Sequence, residues 1–177
     1  MEMRWFAIGI AICVAIFATA GAYAGAIEVP FKTIAKGQFC NYYGEDNYVV
    51  RDETNFKELM AKAGIVVNDS VNFDREIVIA TFYGWKPTTG YDITIRSIKI
   101  IPKMTELSNK DVMVVTVVKK KPGHNCIQMP VITSPFHIVK LPRFDGTVVF
   151  KEITVVEPCK PAKIEVNGDW GPPNNYY

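Results

Sequence analysis

The sequence predicts a mainly β or α+β domain, an antiparallel, sandwich-like body with one amphipathic helix. Three observations carry that expectation. Residues 76–82 (Glu-Ile-Val-Ile-Ala-Thr-Phe) and 112–118 (Val-Met-Val-Val-Thr-Val-Val) are β-branched and almost uncharged, as buried strands are. Tyr91, Ile93 and Ile95 alternate with Asp92, Thr94 and Arg96, the period of a strand with one covered face. Only one stretch, with Phe56, Leu59, Met60 and Ala63, repeats its apolar residues at helical spacing.

In chain order, a short strand is expected around residues 31–35 and another at Tyr48-Val49-Val50-Arg51, entered through the turn Gly44-Glu45-Asp46. The helix follows. Asp52, Thr54 or Asn55 can cap its first turn, Gly64 can end it in a left-handed conformation, and its apolar stripe should lie on a sheet, because about three turns do not hold in water alone. After residues 76–82 comes a loop, then the strand beginning at Tyr91. Its apolar phase moves from 91, 93 and 95 to Ile98 and Ile100, which predicts a bulge at Arg96-Ser97. Residues 102–111 are polar. Residues 112–118, apolar at nearly every position, read as a central strand covered on both faces, with Lys119-Lys120-Lys121 as a solvated turn closed by Pro122-Gly123. Around Pro135 a kinked strand is expected, with Phe136 and Ile138 opposed to His137, Val139 and Leu141, and with the proline at an edge or bulge. Asp145-Gly146 reads as a hairpin turn into residues 147–156.

Composition bounds the function. A chain of 177 residues can build one domain with a real core, and a net charge of +2 gives no field that would draw nucleic acid. Arg4, the apolar run 5–20 and the small residues of Ala22-Tyr23-Ala24 form an export signal cleaved after Ala24; the alternative is an uncleaved membrane anchor through residues 5–20. The expected organisation is therefore a signal or anchor at 1–24, one β domain at 25–160 and a flexible tail at 161–177. Export makes the protein secreted or surface-exposed and places Cys40, Cys126 and Cys159 where disulfides persist. Three pairings are open, of which Cys126 with Cys159 is the expected one, closing a loop of about 33 residues for about 3.7 kcal/mol in the chain-entropy model. Cys40 would then be the spare thiol.

Catalysis has little to work with. His124 and His137 are the two histidines, and there is no Cys-x-x-Cys, no His-Glu-x-x-His and no glycine-rich loop opening a helix. We expect no catalytic residue, no metal and no cofactor. His137, within a strand, reads as a structural histidine. The stretch that stands out is the connector Tyr83-Gly84-Trp85-Lys86-Pro87-Thr88-Thr89-Gly90-Tyr91. Two glycines able to take positive φ, a proline and paired threonines give it a defined shape, and they set a large aromatic, Trp85, at its tip. Trp85, Lys86, Pro87, Thr88, Thr89, Gly90 and Tyr91 are the candidate binding residues, for a protein partner.

Several of these segments, in order, resemble the carboxy-terminal domain of the PrcB family, the protease complex subunit. They are Phe56-Lys57-Glu58-Leu59-Met60, Val71-Asn72-Phe73-Asp74, Gly84 to Tyr91, Lys121-Pro122-Gly123, Cys126 and Ser134-Pro135-Phe136-His137-Ile138-Val139-Lys140, within residues 48–159. The resemblance implies an exported, non-catalytic protein that associates with a secreted protease. Any lipid anchor of relatives does not carry over, since no lipoprotein-type cysteine is present. Lys86-Pro87-Thr88-Thr89-Gly90-Tyr91 also resembles the Asn-Pro-Thr-Thr-Gly-aromatic loop of chagasin-type cysteine protease inhibitors, with Lys86 in place of the asparagine and no Arg-Pro-Trp partner loop. Direct inhibition is thus an alternative, and a structural cell-surface component is a third.

Overall fold

A computed structural model describes residues 25–102, 111–124 and 126–158 of the chain. The expected signal or anchor, the polar stretch 103–110, Cys159 and the expected tail lie outside the described residues. Among the described residues, eight strands and one helix run in the order β1 (Ile27–Glu28), β2 (Lys32–Gly37), β3 (Asn47–Val50), α1 (Glu53–Ala63), β4 (Glu76–Phe82), β5 (Asp92–Ile101), β6 (Val112–Pro122), β7 (Phe136–Pro142) and β8 (Thr147–Glu157). They form two four-stranded sheets, β1-β5-β6-β8 and β2-β7-β4-β3.

The helix forms where its capping signals stand. The Asp52 carboxylate accepts from the Asn55 N–H at 2.9 Å, and Gly64 closes the last turn with φ 63°. Leu59, Met60 and Ala63 face Val78, Ala80, Phe82 and Ile138 on the outer face of the second sheet. At about 1.5–3 kcal/mol for each large apolar side chain buried, this contact rather than helix propensity holds the element. The opposite face of the same sheet, with Ile77, Ile79, Val139 and Leu141, meets Ile93, Ile95, Ile98, Met113, Val115 and Val117 of the first. The result is three layers: helix, sheet, sheet. Among the described residues no helix is long and apolar enough to cross a membrane.

The register confirms the bulge, with the β5–β6 ladder slipping between Ile95 and Ser97. Four expectations need correction. The strands covered on both faces are β4 and β7, which lie between helix and sheet, whereas β6 is internal to its sheet but alternates buried and half-buried residues. Its apolar outward residues reflect β-propensity rather than burial. Pro135 causes no kink within a strand, because β7 begins just after it, so the missing N–H falls outside the ladder. Asp145-Gly146 is not a hairpin turn. Both edges of β7 are already taken, by β2 and β4, so the chain crosses to the other sheet, where β8 runs parallel to β6. Lys119, finally, is buried rather than solvated.

A braced loop between the sheets

Because β4 belongs to one sheet and β5 to the other, residues 83–91 carry the chain across the end of the sandwich. Three segments meet there: this loop, the turn at 42–46, and the extended run 128–135 that leads into β7. Lys86 and Thr133 exchange both backbone hydrogen bonds, at 2.8 and 2.9 Å, forming an isolated antiparallel bridge. The Tyr83 N–H donates to the Pro135 carbonyl at 2.9 Å, the Thr133 hydroxyl to the Thr88 carbonyl at 3.1 Å, and the Met129 N–H to the Thr89 hydroxyl at 3.2 Å. Thr89 thus fastens the loop through its hydroxyl, as its type suggested, whereas Thr88 takes part through its backbone carbonyl. Gly84 has φ 67°, and a Cβ there would lie 2.8 Å from the Tyr43 carbonyl oxygen, so close backbone approach as well as the left-handed conformation demands glycine.

The seven candidate binding residues divide by position. Trp85, Pro87 and Gly90 are exposed, while Lys86, Thr88, Thr89 and Tyr91 are half-buried. Trp85 is 53% exposed and meets the ring of Tyr43 edge to face, with centroids 4.3 Å apart at 81°. It neither folds into the core nor stands alone: the two aromatics form a paired, solvent-facing surface. Met129, Val131 and Ile132 expose apolar side chains on the neighbouring run. Tyr91 turns inward against Tyr83 and the intersheet core.

Beneath the aromatics lies a row of charges that the sequence reading missed. The Lys119 ammonium, 4% exposed as a residue, sits 2.7 Å from Glu45 and 2.5 Å from Glu152, and Glu45 also receives Lys86 at 3.1 Å. Both ammoniums lie over the Tyr83 ring, that of Lys86 at 4.0 Å from its centroid. Burial opposes the charges on Glu45 and Lys119. Their mutual ion pairs outweigh it, holding the Glu45 carboxyl below and the Lys119 ammonium above their ordinary values. Burial, reinforced by Glu45, pushes the Tyr83 hydroxyl upward. Parity could have found Lys119: it shares the inward phase of Met113, Val115 and Val117.

The remaining chemistry is dispersed. Cys40 is a half-buried free thiol whose Sγ donates to the Ser134 carbonyl at 3.3 Å. His124 is exposed, whereas His137 is enclosed in β7, receiving the Ile95 N–H on Nδ1 at 2.9 Å and reaching the Thr33 hydroxyl from Nε2 at 2.8 Å. Among the described residues, no group of three or more His, Cys, Asp or Glu side chains is placed to hold a metal ion. The expected Cys126–Cys159 bridge has one end outside the described residues.

No curated protein and no solved structure matches the chain. A family does match over residues 77–142, which run from β4 through the braced loop, β5 and β6 to the end of β7. The strands that the loop joins, save the first residue of β4, and the run that fastens it fall inside that match, which is to the PrcB C-terminal family.

Proposed function

We propose that the protein is an exported, non-catalytic subunit that associates with a secreted protease, and that Trp85, with the rest of the 85–91 loop and Tyr43, forms the contact. The observation that carries this reading is a half-exposed tryptophan held on a loop fastened to two other segments. An apolar ring in water is costly to display, and a rigid display loses little entropy when a partner covers it. The family match supports a role in a complex; the apolar segment 5–20 supports export. Export in turn supports the Cys126–Cys159 disulfide, since the Cys126 Sγ lies 3.9 Å from the carbonyl of Glu157, two residues before Cys159.

The test is recovery of exported proteins on the immobilised mature chain, compared with Trp85→Ala and Thr88→Ala. Loss of a protease with Trp85→Ala is the expected result, and unchanged recovery with both variants would remove the loop from the proposal. Direct inhibition of a papain-type enzyme is the weaker reading, because Lys86 stands where those inhibitors carry asparagine and its ammonium is engaged by Glu45 and Tyr83. An activity assay at micromolar protein decides it.

A further inference from the structure

The two sheets have four edge strands, and three carry features that discourage further pairing. β1 has two residues, β3 has four and is followed at once by the helix, and β2 is broken by a register shift between Thr33 and Ala35. β8 has none of these, though it carries the outward charge of Lys151. It runs for eleven residues in unbroken register along β6, and among the described residues no strand lies on its other side. Among the described residues, that side is left as a continuous row of backbone donors and acceptors.

The side chains define what could add to it. Val148 and Phe150 turn toward the intersheet core, so Val149, Lys151, Ile153 and Val155 point outward, with Val149 47% and Val155 37% exposed. Lys151, exposed in the middle of this apolar row, has no charged partner among the described residues. A second copy fits badly. An antiparallel pairing related by a twofold axis keeps each residue on its own face, and centring it on the strand sets Lys151 against its own copy or Glu152 against its own.

We infer that β8 is an acceptor edge for an extended strand of a different protein, one with an acidic residue opposite Lys151 and β-branched residues on either side of it. This surface is independent of the 85–91 loop, so it stands or falls separately from the function proposed above. A capped peptide, Thr-Val-Thr-Val-Glu-Val-Thr-Val-Thr, is the probe, titrated into the isotope-labelled mature chain. The expected result is perturbation and slowed hydrogen exchange of β8 amides, with affinity falling about two- to five-fold in Lys151→Glu and recovering when the peptide carries Lys in place of Glu. Lys151 is exposed, so the variant should fold, and its denaturation midpoint checks this. Perturbation elsewhere or none at millimolar peptide, insensitivity to the charge exchange, or a dimer in sedimentation that Lys151→Glu dissociates would each overturn the inference.

Discussion

His137 makes a quantitative prediction about acid stability. The residue is 3% exposed, and the Ile95 N–H aimed at Nδ1 requires a lone pair there, so the proton of the neutral ring must sit on Nε2, facing the Thr33 hydroxyl. Protonating Nδ1 would set two donors against each other in a site that also disfavours charge. Burial, and then the nearby Lys36 ammonium, lower the pKa to about 4 from 6.5, with Asp92 offsetting part of the effect. The folded state therefore binds this proton less readily than the unfolded state. No penalty exists above pH 6.5; it grows as pH falls through the interval to about 4 and is complete below it. A shift of this size corresponds to about 3 kcal/mol, and residual solvent screening brings it to about 2. Urea unfolding of the native chain and of His137→Gln across pH 7 to 4 isolates the contribution, because other titrating groups are common to both. The native chain should lose about 2 kcal/mol more than the variant over that interval. Parallel curves, or the His137 resonance itself titrating near pH 6.5, would refute the reasoning.

Other substitutions have expected outcomes of their own. Gly84→Ala should cost about 2 kcal/mol or more by denaturant unfolding, from the left-handed backbone together with the approach to the Tyr43 carbonyl. Asp52→Ala removes the acceptor at the helix amino terminus and should cost about 1 kcal/mol, measured the same way. Lys119→Met leaves Glu45 and Glu152 facing each other's charge without their shared cation; a loss of about 2 kcal/mol at neutral pH, shrinking as Glu45 protonates in acid, is expected from unfolding at two pH values. Trp85→Ala should change stability by less than about 1 kcal/mol, since its ring is half in water.

What the sequence made legible follows from how local each signal is. Period and caps are written in neighbouring residues, so α1, β4, the starts of β6 and β8 and the bulge at Ile95 to Ser97 were readable. Strand partnership is written nowhere locally. Asp145-Gly146 has the chemistry of a tight hairpin, but whether two strands pair depends on whether an edge is free, and β7 has none. The same limit applied to the loop: glycines, proline and threonines announced its rigidity, but the residues that fasten it, Thr133 and Met129 above all, lie some 40 or more positions downstream.

The buried charges under that loop explain why rigidity and exposure coexist there. A tryptophan on a connector between sheets would gain by collapsing onto apolar surface, and the face of the Tyr83 ring, two residues earlier in the chain, is such a surface within the core. That face is occupied by two ammoniums, and Glu45 holds both of them, so the space beneath the loop is filled with ionic groups that an indole could not replace without leaving a buried lysine unpaired. Tyr43 is what remains, and the edge-to-face contact keeps Trp85 at the surface. On this account Lys119→Met should do more than lower stability: with the cations depleted, the indole should move inward, and its emission should shift to the blue while Trp85→Ala removes that change. An unshifted spectrum in a folded Lys119→Met chain would mean that the hydrogen bonds to the 128–135 run alone set the position of the loop.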